Sequence, residues 1–252
     1  MARLNNRLPV ALRLGDWDAV AAMAAQVKMD GANTANLRAL AAELGDYAKG
    51  MKALGAGDIA SAQAASDSMD AGLWRMHQRV ADEKAAKKDD DKKNSKQDQP
   101  PVESVMPDAV PDPILKSLSV QSLELRAGIL VAENKVDEAK KLYESARAEE
   151  KRLGYHEPPM YIRPVGETEA VALLNAKDYP GARSAYESAL AQRPNSGFAL
   201  YGLARVKELQ GDAAGAREAF KAFLKAWPNA DAELAELAHA KEVAGGESVA
   251  AK

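Results

Sequence analysis

The chain has 252 residues, with 34 basic and 37 acidic side chains and no cysteine. That length is enough for one or two domains with an apolar core, and the lack of thiols excludes disulfides, Cys-ligated zinc, iron–sulfur clusters and thiol catalysis. A formal net charge of −3 supplies no whole-chain field to draw in nucleic acid or an anionic membrane, and no run of about 18 apolar residues is present to span a bilayer.

Aromatic residues make up only 5% of the chain, and the apolar weight falls on alanine and leucine, strong helix formers. Close-packed helices are therefore expected, and no strand is predicted. In chain order the predicted helices are 6–14, 17–28, 34–54, 58–70, 72–86, 111–133, 136–152, 164–177, 179–192, 196–210, 213–226 and 230–243. The basic start runs into Asp16 and Asp18 before a signal-peptide core can form, so no export signal is expected in the chain as given. A cytoplasmic setting is the default, and a periplasmic one follows if the chain is part of an exported parent.

Gly15-Asp16 and Gly57-Asp58 mark two helix-to-helix turns in the first part, 1–81, read as degenerate helical hairpins. Residues 82–99 then carry six lysines and six acidic residues, neutral overall and too polar to pack. With the prolines that follow, 82–110 is expected to be a disordered linker, either a solvated loop or a docking tail. The second part, 111–244, holds the clearest repeats, with a last helix capping the stack and a flexible tail over 245–252.

Those repeats align without gaps. Ala182 and Ala216, Tyr186 and Phe220, and Pro194 and Pro228 are each 34 residues apart. Such a period marks a helix hairpin used repeatedly. Lys177-Asp178 and Gly211-Asp212 end one helix and cap the next. The alanine lets the pair approach, as does Gly202 or Ala204 from the first helix. The aromatic fills the gap to the next hairpin, and proline stops the helix. Asn134, Ala139 and Tyr143 repeat the pattern, spaced nine residues further from the next copy, the excess falling in an insert at 153–161.

These residues resemble the tetratricopeptide (TPR) superfamily over most of 1–81 and 111–244. More narrowly, Tyr155-His-Glu-Pro-Pro-Met-Tyr-Ile-Arg-Pro-Val165 and Asn195-Ser-Gly-Phe-Ala-Leu-Tyr-Gly-Leu203 resemble a bacterial TPR group whose motifs read Tyr-x-Glu-Pro-Pro-x-Trp-Tyr-Tyr-Pro-Val-Arg and Asn-x-Gly-Trp-x-Leu-Tyr-Gly-Leu. Tyr161, Ile162, Arg163 and Gly166 depart from the first. The resemblance implies an all-α, right-handed superhelical solenoid of antiparallel hairpins and a binding role, and the chain looks like the C-terminal part of a longer protein. It also implies that the first helix of each hairpin lines a concave wall, with Gln121, Glu124, Val131, Glu167, Val171, Phe198, Tyr201, Arg205 and Glu208 facing inward. A mixed wall of this kind suits a peptide or partner helix.

Catalytic motifs for phosphate binding, zinc proteolysis or a nucleophile elbow do not occur, and no enzyme activity or cofactor is expected. Gly55-Ala-Gly-Asp-Ile-Ala60 fits a loose dinucleotide pattern but follows a helix, so a repeat turn explains it better. The three histidines, His77, His156 and His239, are scattered, no metal site is expected, and His239 reads as a surface residue. The insert gathers Tyr155, His156, Glu157, Tyr161 and Arg163 beside Pro158-Pro159. It reads either as a structural turn or as a small-ligand or metal site. Self-association through the ends of the stack is a further expectation.

Overall fold

A computed structural model describes residues 5–26, 35–94, 112–154 and 161–245. Among them are eleven helices and no strand: α1 (Leu8–Leu14), α2 (Trp17–Ala25), α3 (Ala35–Gly55), α4 (Ile59–Asn94), α5 (Asp112–Ala132), α6 (Val136–Arg152), α7 (Val165–Asn175), α8 (Tyr179–Gln192), α9 (Gly197–Leu209), α10 (Ala213–Ala226) and α11 (Ala235–Gly245).

The turns form as the local sequence dictates. Asp16, Asp58, Asp178 and Asp212 each accept a backbone N–H three residues on, at 3.0, 3.0, 3.0 and 2.9 Å. Each therefore satisfies a donor that the start of a helix leaves unpaired. The residue before each cap is left-handed: Gly15, Gly57, Lys177 and Gly211 have φ of 72°, 74°, 62° and 81°. At Lys177 that conformation carries a side chain, which costs more than it does at glycine. The turn at Asn134 (φ 62°) departs from the pattern, because Lys135 stands at the cap and its side chain makes no capping hydrogen bond.

Packing follows the repeat chemistry. Ala139, Ala182 and Ala216 are fully buried, as are Tyr143, Tyr186 and Phe220. A Cβ on Gly202 would lie 2.1 Å from the Tyr186 ring, so only a hydrogen there lets α9 sit against α8. The core runs as three linked sections, one over α1 to α5, one over α5 to α9 and one over α9 to α11. A solenoid distributes its buried surface in this way, each hairpin stabilising its neighbours.

Three expectations are corrected. Helices predicted at 58–70 and 72–86 are one helix, α4, and the charged stretch continues it as far as Asn94, while 95–111 lies outside the described residues. Gly72, inside this helix, makes room for Glu43 of α3, whose carboxylate oxygen would stand 1.6 Å from an added Cβ. The parts before and after the charged stretch also share one core, because Leu115, Leu118, Leu125 and Ile129 of α5 pack with Leu40, Leu44 and Met69. The last helix begins at Ala235 rather than 230, after turns over 228–233.

Candidate functional site

Helices α3, α5, α7 and α9, expected to form the wall, pack side by side in that order, and the first hairpin lies against part of this row. Glu167 on α7 receives two hydrogen bonds from the Arg13 guanidinium of α1, at 2.5 and 3.0 Å, and one from the Ser196 hydroxyl at 2.7 Å. The same guanidinium stands 4.5 Å from the centroid of the Phe198 ring, a favourable cation–π placement. Glu124 on α5 accepts from the Tyr47 hydroxyl at 3.2 Å and from the Tyr161 hydroxyl. Gln121 borders a small crevice with Leu12, Trp17 and Ile162. Gln121, Glu124, Val131 and Glu167 are consequently buried. As open wall residues these four are corrected: Arg13 bonds to Glu167, Tyr47 and Tyr161 bond to Glu124, Gln121 borders the crevice, and Val131 is buried at the edge of a cavity.

The other five keep access to solvent. Val171 is exposed, and Phe198, Tyr201, Arg205 and Glu208 are half-buried. Phe198 meets Trp227 edge-on at 5.2 Å. Tyr201 lies 5.6 Å from both Phe220 and Phe223 and 6.0 Å from His239. Arg205 pairs with Glu208, and His239 Nε2 is 3.1 Å from Arg205 and 3.0 Å from Glu208. His239 is therefore not a simple surface residue but joins α11 to α9 in a strip of rings edged by an ionic triad.

Of the insert cluster, Tyr155, His156 and Glu157 lie outside the described residues. Tyr161 is buried on Glu124, and Arg163 is wedged beside the first turn, where a Cβ on Gly15 would fall 2.6 Å from its Nη1. Its guanidinium carbon is 5.8 Å from the Trp17 ring centroid. The segment leading into α7 is tied down by Arg193, which donates to the Ile162 carbonyl at 2.7 Å and the Tyr161 carbonyl at 2.5 Å. Glu150 of α6 accepts from the Val165 amide at 3.1 Å, a cap supplied across helices because Pro164 has no side-chain oxygen. Among the described residues no group of three or more metal-ligating side chains is assembled.

A cavity of about 360 Å³ opens between α3, α5 and α7. Trp17 and Arg163 stand at its side, and the Tyr143 hydroxyl of α6 reaches it. Arg13, Trp17, Tyr47, Glu150 and Arg193 all escaped the sequence reading. Arg13 and Tyr47 bond to α7 and α5 far along the chain, Trp17 meets Arg163, and Glu150 and Arg193 hold the segment leading into α7, so no repeat spacing reports them.

Three carboxyls in this region hold protons unusually well. Burial lifts Glu124 from 4.5 to about 7, against the opposing Tyr161 and Thr168 hydroxyls. Burial likewise takes Glu150 to about 7, against the Val165 amide and Arg193. At Glu43, burial and then Asp46 have the same effect, to about 7, against Arg75. Between pH 4.5 and about 7 the folded chain thus binds more protons than the unfolded one at these groups, so their contribution to stability falls as pH rises. The depressed carboxyls, Asp58, Asp178 and Glu218, act below that window. The urea midpoint is expected to drop between about pH 5 and about pH 8, and Glu124→Gln should flatten the drop. A midpoint rising over this range contradicts the assignment.

With this geometry established, the tetratricopeptide repeat family model matches residues 198–230, the α9–α10 hairpin and the turn after it. The α9–α10 hairpin is thus similar to a tetratricopeptide repeat, the described helices form an all-helical, TPR-like stack, and repeats of this type generally mediate protein–protein interaction. No helix among the described residues is long and apolar enough to cross a membrane. Comparison with curated proteins and with solved structures found no match.

Proposed function

We propose that the chain is a non-catalytic scaffold that holds a peptide or helix of a partner protein along the inner face of α7, α9 and α11. The observation that carries this reading is the half-buried strip of Phe198, Tyr201, Arg205 and Glu208, lying within or beside the matched repeat and continued by exposed Val171. Fixed rings provide contact area at little entropic cost, and Arg and Tyr are enriched where binding energy concentrates. The Arg205–Glu208–His239 triad offers directional bonds to set register, since its members share each other rather than a deep burial.

The narrower bacterial group is part of the same proposal. Its Asn195–Leu203 motif makes structural sense, since Gly197 would place a Cβ 1.9 Å from the Trp227 ring and Gly202 one 2.1 Å from Tyr186. Both glycines shape the strip. The test is affinity capture with the intact chain beside a Tyr201→Ala/Arg205→Ala variant. Partners retained by the first and lost by at least about tenfold from the second are expected. Equal recovery of every partner by a variant with unchanged helicity ends the reading.

A further inference from the structure

We infer that the cavity between α3, α5 and α7 is a binding site for a small monocarboxylate with a compact apolar body. The site is separate from the α9 strip and shares only Val171 with it, so it does not depend on the partner-binding reading. Its volume of about 360 Å³ falls in the lower part of the range of about 300–1,000 Å³ used by small-molecule sites.

The walls are apolar where a hydrocarbon would lie: Met51 and Leu54 from α3, Val131 from α5 and Val171 from α7. Gly128 keeps the floor open, because a Cβ there would lie 2.8 Å from Leu54 and 3.8 Å from the Tyr143 hydroxyl. Against these walls stand polar atoms whose bonding the fold leaves incomplete. Tyr143 is 0% exposed, and the Tyr143 hydroxyl and Arg163 Nε are buried without a hydrogen-bond partner. Buried polar atoms almost always have partners, and leaving one unpaired is costly. Two such atoms on residues lining a single cavity point to a ligand that accepts hydrogen bonds.

The charge selects the acceptor. Arg163 forms no ion pair with any described residue, and the Glu124 carboxyl behind Thr168 is held partly neutral near pH 7 by burial. A carboxylate in the cavity would meet the guanidinium donor of Arg163 and the hydroxyl donor of Tyr143, and charge-assisted bonds of this kind are the strong ones. An uncharged amide of the same shape would keep the apolar contact and lose that advantage. Trp17 at the rim supplies an optical report of occupancy.

The experiment is calorimetric titration of the intact chain with hexanoate, 4-phenylbutyrate and indole-3-acetate, each beside its primary amide, with tryptophan fluorescence followed in parallel. Saturable one-to-one binding of at least one acid below about 1 mM is expected, with its amide at least about tenfold weaker. Arg163→Gln should bring acid and amide to parity, and Tyr143→Phe should weaken the acid several-fold while leaving the fold's helicity intact. No saturable binding of any acid to the native chain overturns the proposal. So does equal binding of acid and amide, which would leave the cavity a purely apolar one. Neither result touches the α9 strip, whose capture experiment uses other residues.

Discussion

Phe220→Ala is expected to destabilise the protein by about 3–5 kcal/mol, the cost of emptying a large, fully enclosed aromatic site. Phe220 has no exposed surface. Its ring lies 5.6 Å from Tyr201 on α9 and 5.3 Å from His239 on α11, edge-on to the latter. Truncation therefore loosens the contact within the α9–α10 hairpin and the contact to α11 together, and alanine cannot refill either. Because a solenoid's stability is a sum of unit and neighbour terms, the loss should be local. Amide exchange is expected to speed up most in α9, α10 and α11, while α3 to α6 keep their protection. A urea transition with an unchanged midpoint, or uniform loss across all helices, contradicts this placement.

Arg13→Ala is expected to cost a comparable amount, about 3–5 kcal/mol, because it strands a buried carboxylate. The Glu167 side chain is 3% exposed, against 24% for Arg13, so the acid is the member that cannot recover water. Ser196 would remain its only neutral donor among the bonds described above. The partner Arg13 also leaves the Phe198 ring, so α1 loses two attachments to the wall at once. A paired change to Arg13→Met/Glu167→Leu should restore most of the stability, since replacing both members removes the stranded charge. Denaturant unfolding of the two singles and the double gives the coupling directly, and additive single losses would show that the two residues do not meet.

How far the sequence could be read follows from where each interaction closes. Turn, alanine, aromatic and proline act within one hairpin or between adjacent ones, so the Ala182–Ala216 and Tyr186–Phe220 spacing reports the fold at once. The Asp16, Asp58, Asp178 and Asp212 caps are local in the same sense. The wall was only partly legible. Position within α5 and α7 made Gln121, Glu124 and Glu167 candidates for an open wall, but Arg13 bonds to Glu167, and Tyr47 and Tyr161 to Glu124, from elsewhere in the chain. Nothing in the spacing near Glu167 signals a partner so remote. The break expected between 70 and 72 does not occur: α4 runs through, and Gly72 within it leaves the space that Glu43 of the neighbouring helix needs. The polarity of 82–94 argued for disorder, yet the helix runs on to Asn94, because a helix makes its backbone bonds internally.

The central claim is that the helix pairs form one stack with the first hairpin folded against the inner wall of the last ones. The chain has no cysteine, so a Leu14→Cys/Pro194→Cys variant carries a single possible intramolecular pair, both native positions being exposed. Treatment of dilute protein with a flexible bismaleimide, followed by peptide mapping, should give a monomer cross-linked between 14 and 194 in high yield, lost on unfolding in urea before treatment. A folded monomer in which both cysteines react separately and no such link forms would contradict the account.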